Sequence, residues 1–431
     1  MSTVFVHVGQ AGCQLAQALW PMLAVERNAS PDLFFCPRAG GLPHPRAVLV
    51  DAEPKVACGI VGHGTAPRAA SATFAFDPQA VAFGQSGRGG NFALGYAGGS
   101  GSPLPGIALA DACPQLVSQA LECVRVQAER CHGAQLGTVV FHSLGGGTGS
   151  GLGTRLVEEL RDALPRAPLL AVSVLPISTG ENPMQSLNSV LALAALHELT
   201  DGVVLYENDR LLAAADRGLA KVEGAGVGGG ASLASMNELV ARDLVPFLAP
   251  PQAAQPFDPC ELLSSAWPMA THRFAQALSG EAPVATPDSG GTELRPALDA
   301  LMRAAPRVPR GAQAVLAARA VVRGAAVSDV ASVRKDFLER LGGRAPWNPF
   351  GVELLSSATP LRSATSGKVR VSALVNWRLV ADVLRGVVAR ARRKYEGRAF
   401  VHWYERYGFG DDAFAHAFEA LDDAVANYDA A

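Results

Sequence analysis

His142-Ser143-Leu144-Gly145-Gly146-Gly147-Thr148-Gly149-Ser150-Gly151 is the stretch whose reading decides the fold. Ahead of it, the apolar run Thr138-Val139-Val140-Phe141 reads as a buried strand. After it, Leu152, Leu156, Leu160 and Leu164 recur at helical spacing. Glycines between a strand and a helix let backbone N–H groups turn inward around an anion, and the helix start adds the positive end of its dipole. Such a loop suits phosphate. It lacks the Lys-Ser/Thr of a Walker A loop, and no register of it fits G-x-G-x-x-G. Both absences weigh against P-loop NTPases and Rossmann dehydrogenases.

Working outward, the first half alternates strand-like and helix-like segments. Val4–Val8, Arg46–Asp51, Gly137–His142, Leu169–Leu175 and Gly202–Tyr206 read as strands. Helices are predicted from Gly12 to Glu26, Ala110 to Gln127 and Ser186 to Glu198, with a Gly-rich tract over Gly59–Gly101. Alternating β and α units imply a doubly wound parallel sheet, with ligands at the carboxyl ends of its strands. Beyond it come an apolar helix over Ser235–Val245 and a proline-rich break from Pro246 to Pro259. A mixed region follows, with a strand at Val371–Val375 and a strand or strand-to-helix stretch at Phe400–His402. Two helices, Asn376–Glu396 and Asp411–Tyr428, complete the reading, and Gly218–Ala231 and Ser279–Gly291 read as loops.

Composition narrows the function classes. The chain has 431 residues, 37 Lys+Arg against 39 Asp+Glu, and 49% hydrophobic residues. That length allows two or three domains at roughly 150 residues each, and the apolar content excludes disorder along most of it. Near-neutral charge gives no footprint for broad nucleic-acid or anionic-membrane binding. No window approaches the ~20 apolar residues of a membrane span, and the N-terminus lacks the form of a signal peptide. The 7 cysteines are scattered without a Cys-x-x-Cys pair, so neither a zinc site nor a disulfide scaffold is indicated. A reduced intracellular protein is expected.

The glycine loop resembles the Gly-Gly-Gly-Thr-Gly-Ser-Gly signature of tubulins, which bacterial FtsZ shares in relaxed form. Other motifs agree and follow tubulin order. Gly9-Gln10-Ala11-Gly12-Cys13-Gln14 resembles the first nucleotide loop, Asp51-Ala52-Glu53-Pro54 the second, and Asn91-Phe92-Ala93-Leu94-Gly95 the third. Arg398-Ala399-Phe400-Val401-His402-Trp403-Tyr404 is similar to the run before the last tubulin helix. Within the superfamily, Arg46 to Val56, Thr179-Gly180-Glu181 and Glu207-Asn208-Asp209 resemble delta-tubulins. The sequence also stops at Ala431 without the Glu-rich tail of lattice tubulins. The resemblance implies an α/β GTPase domain over residues 1–233 and a central helix with its connecting loop over 234–258. An α+β domain over 259–375 and C-terminal helices over 376–431 would follow.

It also implies GTP/GDP and Mg²⁺ as ligands. Gln10, Ala11, Gly145, Gly146, Gly147, Thr148 and Gly149 would hold phosphates, with Ser143 and the third loop near Gly90 and Asn91. Asn208, Asn237 and Gln14 would meet the guanine, since an amide offers both donor and acceptor. Thr179 would also contact the nucleotide, and Gln185 would lie near the ribose, standing where lattice tubulins carry an acid. Glu53 would reach Mg²⁺ through water. Hydrolysis in this family is completed across an interface by an acid from the next subunit. The corresponding stretch here is Pro259 to Pro268, with Glu261 or Ser264 at the catalytic position. A serine without activation is no general base, so slow, partner-dependent GTP turnover is expected. Expected partners are other tubulins (α, β or epsilon) and components of basal bodies or centrioles, where the protein would act in triplet microtubules. A lattice-forming filament subunit is the alternative. Cys13, His142 and His402 read as structural residues, and Arg390–Lys394 as a helix end that can also touch an acidic partner.

Overall fold

The computed structural model describes residues 2–26, 34–38, 41–61, 73–97, 113–130, 136–180, 182–219, 232–249, 257–283, 294–308, 314–325, 327, 330–349, 351–363 and 368–431. The first half runs β1 (Ser2–Val8), α1 (Gly9–Glu26), a short hairpin of β2 (Phe35–Cys36) and β3 (His44–Pro45), β4 (Ala47–Asp51) and α2 (Pro54–Val61). It continues through β5 (Val81–Phe83), α3 (Phe92–Ala97), α4 (Cys113–Glu129) and β6 (Leu136–Ser143). A π-helical turn, Thr148–Leu152, then opens α5 (Gly153–Ala163). β7 (Leu169–Leu175), α6 (Gln185–Leu199), β8 (Gly202–Glu207) and α7 (Asn208–Leu219) finish the alternating part.

Beyond lie α8 (Leu233–Leu248), α9 (Pro259–Ala266), β9 (Phe274–Pro283), α10 (Arg295–Ala304), β10 (Val315–Arg323) and α11 (Val330–Arg340). β11 (Val352–Ser357), β12 (Lys368–Trp377), α12 (Val380–Glu396), α13 (Val401–Glu405) and α14 (Asp411–Ala430) complete the chain. Among the described residues, ten strands form one sheet in the order β11-β10-β12-β9-β8-β7-β6-β1-β4-β5. From β5 to β8 every pairing is parallel, as alternation with helices requires. β9 joins β8 in parallel at Val203 and Val204, then pairs antiparallel with β12, which pairs antiparallel with β10.

Period-2 alternation sorts β1 between two cores. Val4, Val6 and Val8 point to the face covered by Leu116 of α4, Leu156 of α5 and Leu187 of α6. Phe5 points to the other, with Leu15 and Leu19 of α1 and Met236, Val240 and Leu244 of α8. Apolar faces on both sides of a sheet are what buried parallel strands demand. Among the described residues, no helix is long and apolar enough to cross a membrane.

Four expectations change. The break at Pro246 lies inside α8, which runs on to Leu248. Proline removes one helical hydrogen bond, and the Arg370 guanidinium donates to the Arg242 carbonyl, four residues before it, at 2.7 Å. The helix expected from Asn376 starts at Val380, because β12 extends through Trp377. The Trp377 indole is buried there and donates to Gln276 at 2.8 Å. Phe400–His402 is no strand: Arg398 and Phe400 take positive φ values of 51° and 66°, and Val401 begins a helix. The loop expected from Ser279 starts later, because β9 reaches Pro283. Residues 220–231 and 284–291 of the two expected loops lie outside the described residues, as do residues 110–112 of the helix expected from Ala110.

Candidate nucleotide-binding site

One cavity of about 850 Å³ opens at the carboxyl ends of β1, β4 and β6, where an open α/β sheet places its ligands. Its size is within the range of small-molecule sites. Gln10, Ala11 and Gln14 reach it from the start of α1, and Glu53 from the end of β4. Ser143, Gly146, Gly147, Thr148 and Gly149 form its floor, while Asn208 and Asn237 enter from the starts of α7 and α8. The structure thus brings these distant sequence positions onto one wall.

The glycine loop is fitted closely to its neighbours. A Cβ on Gly149 would lie 2.5 Å from the Ser143 carbonyl oxygen, and one on Gly147 2.5 Å from that of Arg88. Gly146 differs, since a Cβ there meets nothing within 4 Å. That open side of the loop is where a phosphate fits, against amides at a helix start that have no intrahelical acceptor.

Two buried histidines pin the loops. His142, at the end of β6, contacts the Gly149 carbonyl through Nδ1 at 2.8 Å and Ser173 Oγ through Nε2 at 2.9 Å. His7, on β1, contacts the Gly12 carbonyl through Nδ1 at 3.1 Å and accepts from the Trp20 indole at 3.1 Å. In both rings Nδ1 must carry the proton, because it faces a carbonyl. Burial lowers the pKa of His142 to about 4 and that of His7 to about 3. Both are therefore neutral fixtures, and His142 is structural as its sequence context suggests.

The acidic side of the cavity comes from β4. Asp51 is buried, and burial raises its pKa to about 6, against the hydrogen bond it accepts from the Glu53 amide at 3.4 Å. The Glu53 carboxylate rests where a Cβ on Gly87 would stand, 2.4 Å away. Lys55 and Arg88 also line the cavity. Among the described residues no group of three or more His, Cys, Asp or Glu side chains could hold a metal by itself. Glu53 and Asp51 fit a Mg²⁺ ion that takes its other ligands from phosphate and water. Bound there, Mg²⁺ would neutralise phosphate charge.

Several expected residues lie elsewhere. Gly145 stands behind the floor, its carbonyl accepting from Asn182 at 3.1 Å and Asn188 at 2.8 Å. The Asn91 amide is turned away, donating to the Trp403 carbonyl at 3.2 Å and accepting from the Ala93 amide at 2.8 Å. Gln185 donates to the Ile177 carbonyl at 2.7 Å and, like Thr179, is absent from the cavity wall. Glu261 and Ser264 lie on α9, by the amino ends of the strands: a Cβ on Gly137 of β6 would sit 2.8 Å from Pro259. Glu261 pairs with Arg319 at 3.1 Å, and Ser264 Oγ donates to the Glu261 carbonyl at 2.9 Å.

Sequence reading overlooked Lys55, Arg88, Leu233 and Met236 as cavity residues, and gave Asp51 of the second loop no role. Leu233, 59% exposed at the rim and one helical turn before Asn237, offers an apolar surface for a base. An exposed leucine opening a helix was the available signal. Asn188 was also overlooked. Its amide donates to the carbonyls of Gly90 at 2.7 Å and Gly145 at 2.8 Å, and its oxygen accepts from the Phe92 amide at 2.8 Å and Tyr404 Oη at 2.6 Å.

Gly146→Ala should leave the melting temperature nearly unchanged yet weaken guanine-nucleotide binding tenfold or more. Gly149→Ala should lower stability by about 1–3 kcal/mol, because the Ser143 carbonyl must move. Full affinity in Gly146→Ala would remove that residue from the phosphate cradle. On acidification below the ordinary histidine pKa of about 6.5 the unfolded chain takes up protons that native His7 and His142 refuse. Stability should then fall towards pH 4 by about 1.4 kcal/mol per pH unit for each ring. Asp51 acts in the opposite sense between about pH 6 and 4, since its native form holds the proton more tightly, so one ring's worth of loss should remain. Thermal melts at pH 7, 6 and 5 check the slope, and a flat profile would mean the rings are charged when folded.

A scan against family models matches residues 2–216 to the Tubulin/FtsZ family, GTPase domain. The match spans the glycine loop, the three loops that meet it and Asn208. Members of this family bind GTP or GDP, generally with Mg²⁺, and associate with other tubulin subunits. The chain thus carries, over residues 2–216, the GTPase domain of the tubulin/FtsZ family and belongs with the GTP-binding proteins of the cytoskeletal type.

Proposed function

We propose that this protein is a specialised GTP-binding tubulin of the delta type, acting at basal bodies or centrioles in the formation or stability of triplet microtubules. The observation that carries the reading is the state of α9. In this family the nucleotide of one subunit is completed by an acid from the next, and α9 stands at the end of the sheet opposite the cavity. Here Glu261 is bound to Arg319, and Ser264 is tied to its own helix backbone. Among the described residues of α9 no unengaged carboxylate is offered, so a neighbour's GTP would be turned over slowly. Such a subunit binds and caps more than it cycles. The resemblance of Arg46 to Val56 and of Glu207-Asn208-Asp209 to delta-tubulins supports the same choice.

Within its own site, Asn208 and Asn237 read the guanine, the glycine loop holds the phosphates, and Glu53 orients the metal's water. Asn208→Asp should replace an amide donor by an acceptor and cost about 1–3 kcal/mol, roughly tenfold to a hundredfold in GTP affinity. Unchanged affinity by calorimetry would remove Asn208 from the base site. The position of the tagged chain in ciliated cells tests the cellular role. Signal confined to basal bodies is the expected result. Labelling along cytoplasmic or axonemal microtubules would sink the delta reading and favour a lattice-forming subunit.

A further inference from the structure

A second cavity, of about 330 Å³, lies between the loop after β7, the first turn of α6 and the last turns of α12. None of the residues that line it lines the nucleotide cavity. Arg390, Arg393 and Lys394 project into it from one turn of α12. Their neighbours on that helix are engaged elsewhere: Arg385 pairs with Asp429 at 2.7 Å and Arg392 with Asp422 at 2.7 Å. Among the described residues, no carboxylate lies within ion-pair distance of Arg390, Arg393 or Lys394. The Lys394 ammonium donates to the Pro183 carbonyl, and its pKa is lowered by burial and then by the charge of Arg390.

Opposite these cations stands the amino end of α6, a helix of 15 residues, with the positive end of its dipole. Ser186, in its first turn, is only 6% exposed and lines the cavity. Its hydroxyl has no hydrogen-bond partner among the described residues, whereas Ser178 donates to Asp209 and Ser189 to the Gln185 carbonyl. A buried hydroxyl without an acceptor is costly and uncommon. Arg390, Arg393 and Ser186 are donors that have no anionic partner among the described residues. The remaining wall is apolar, from Leu175, Pro176 and Val387.

We propose that this cavity is a docking site for a glutamate-rich segment of a partner protein. One glutamate lays its methylenes on the apolar wall, its carboxylate is gripped by the planar forks of Arg390 and Arg393, and Ser186 Oγ donates to it. The mixed lining favours an acid on an aliphatic stem over a bare oxyanion, and the charge complementarity is with an acidic chain.

The test is a titration of the full-length, GDP-loaded protein with a labelled hexaglutamate peptide, with hexaglutamine as reference. Arg390→Gln/Arg393→Gln should weaken peptide binding tenfold or more, and Ser186→Ala about threefold. Arg385→Gln/Arg392→Gln removes the same charge from the same helix outside the cavity and should change affinity less than twofold. Nucleotide binding and melting temperature, measured on each variant, report the fold separately, and Ser186→Ala keeps the test alive should the double variant not fold. Equal loss in the two arginine pairs would reduce the effect to diffuse charge and overturn the proposal. So would binding of inorganic phosphate, with the same dependence on Arg390 and Arg393, by a protein that does not hold the peptide.

Discussion

The buried amide of Asn188 is the interaction on which the rest of the site depends. It lies fully buried in the first turn of α6 and joins three parts of the chain. Its two donors go to the carbonyls of Gly90 and Gly145, and its oxygen takes the Phe92 amide and the Tyr404 hydroxyl. An amide is the one side chain that offers two donors and an acceptor in a fixed plane. A leucine of similar size would leave the Phe92 amide buried without its acceptor and the Gly90 and Gly145 carbonyls with only their bonds from Asn182, a loss of free energy. Through Asn188, the third loop, the glycine loop and the C-terminal helices hold a single arrangement.

That arrangement gives the sheet two chemically different ends. At the carboxyl ends, loops and helix starts expose N–H groups and glycines to an anion, with His7 and His142 kept neutral by burial. At the amino ends, α9 packs close against β6, with Glu261 neutralised by Arg319. One end is built to hold a nucleotide. The other has its charges paired within the chain.

The electrostatics of the cavity follow from depth. Asp51 sits at the bottom, where burial favours its protonated form, and Glu53 stands at the mouth, exposed to solvent. A divalent cation between them would favour the ionised form of both, so metal and carboxylates stabilise one another. Lys55 and Arg88 add positive charge on the same wall, suited to a polyphosphate.

Local patterns determined much of this protein. Period-2 alternation set β1, helical spacing set α5, and the run of glycines between β6 and α5 set a phosphate loop, because each depends only on neighbours in the chain. The same locality made Gly146 to Gly149 legible as a phosphate cradle, whereas Gln10 and Asn208 were named through the resemblance of their motifs to tubulins. Contacts far apart in sequence decided the rest. Pro246 stays in α8 because Arg370, 124 residues on, accepts the task of its missing N–H by donating to Arg242. Asn376 and Trp377 stay in β12 because His272 and Gln276 hold their side chains. Asn91, which the motif places at phosphate, is turned away by the Trp403 carbonyl. No window of sequence contains both partners of such a bond, and a buried polar group takes whichever partner the tertiary fold supplies.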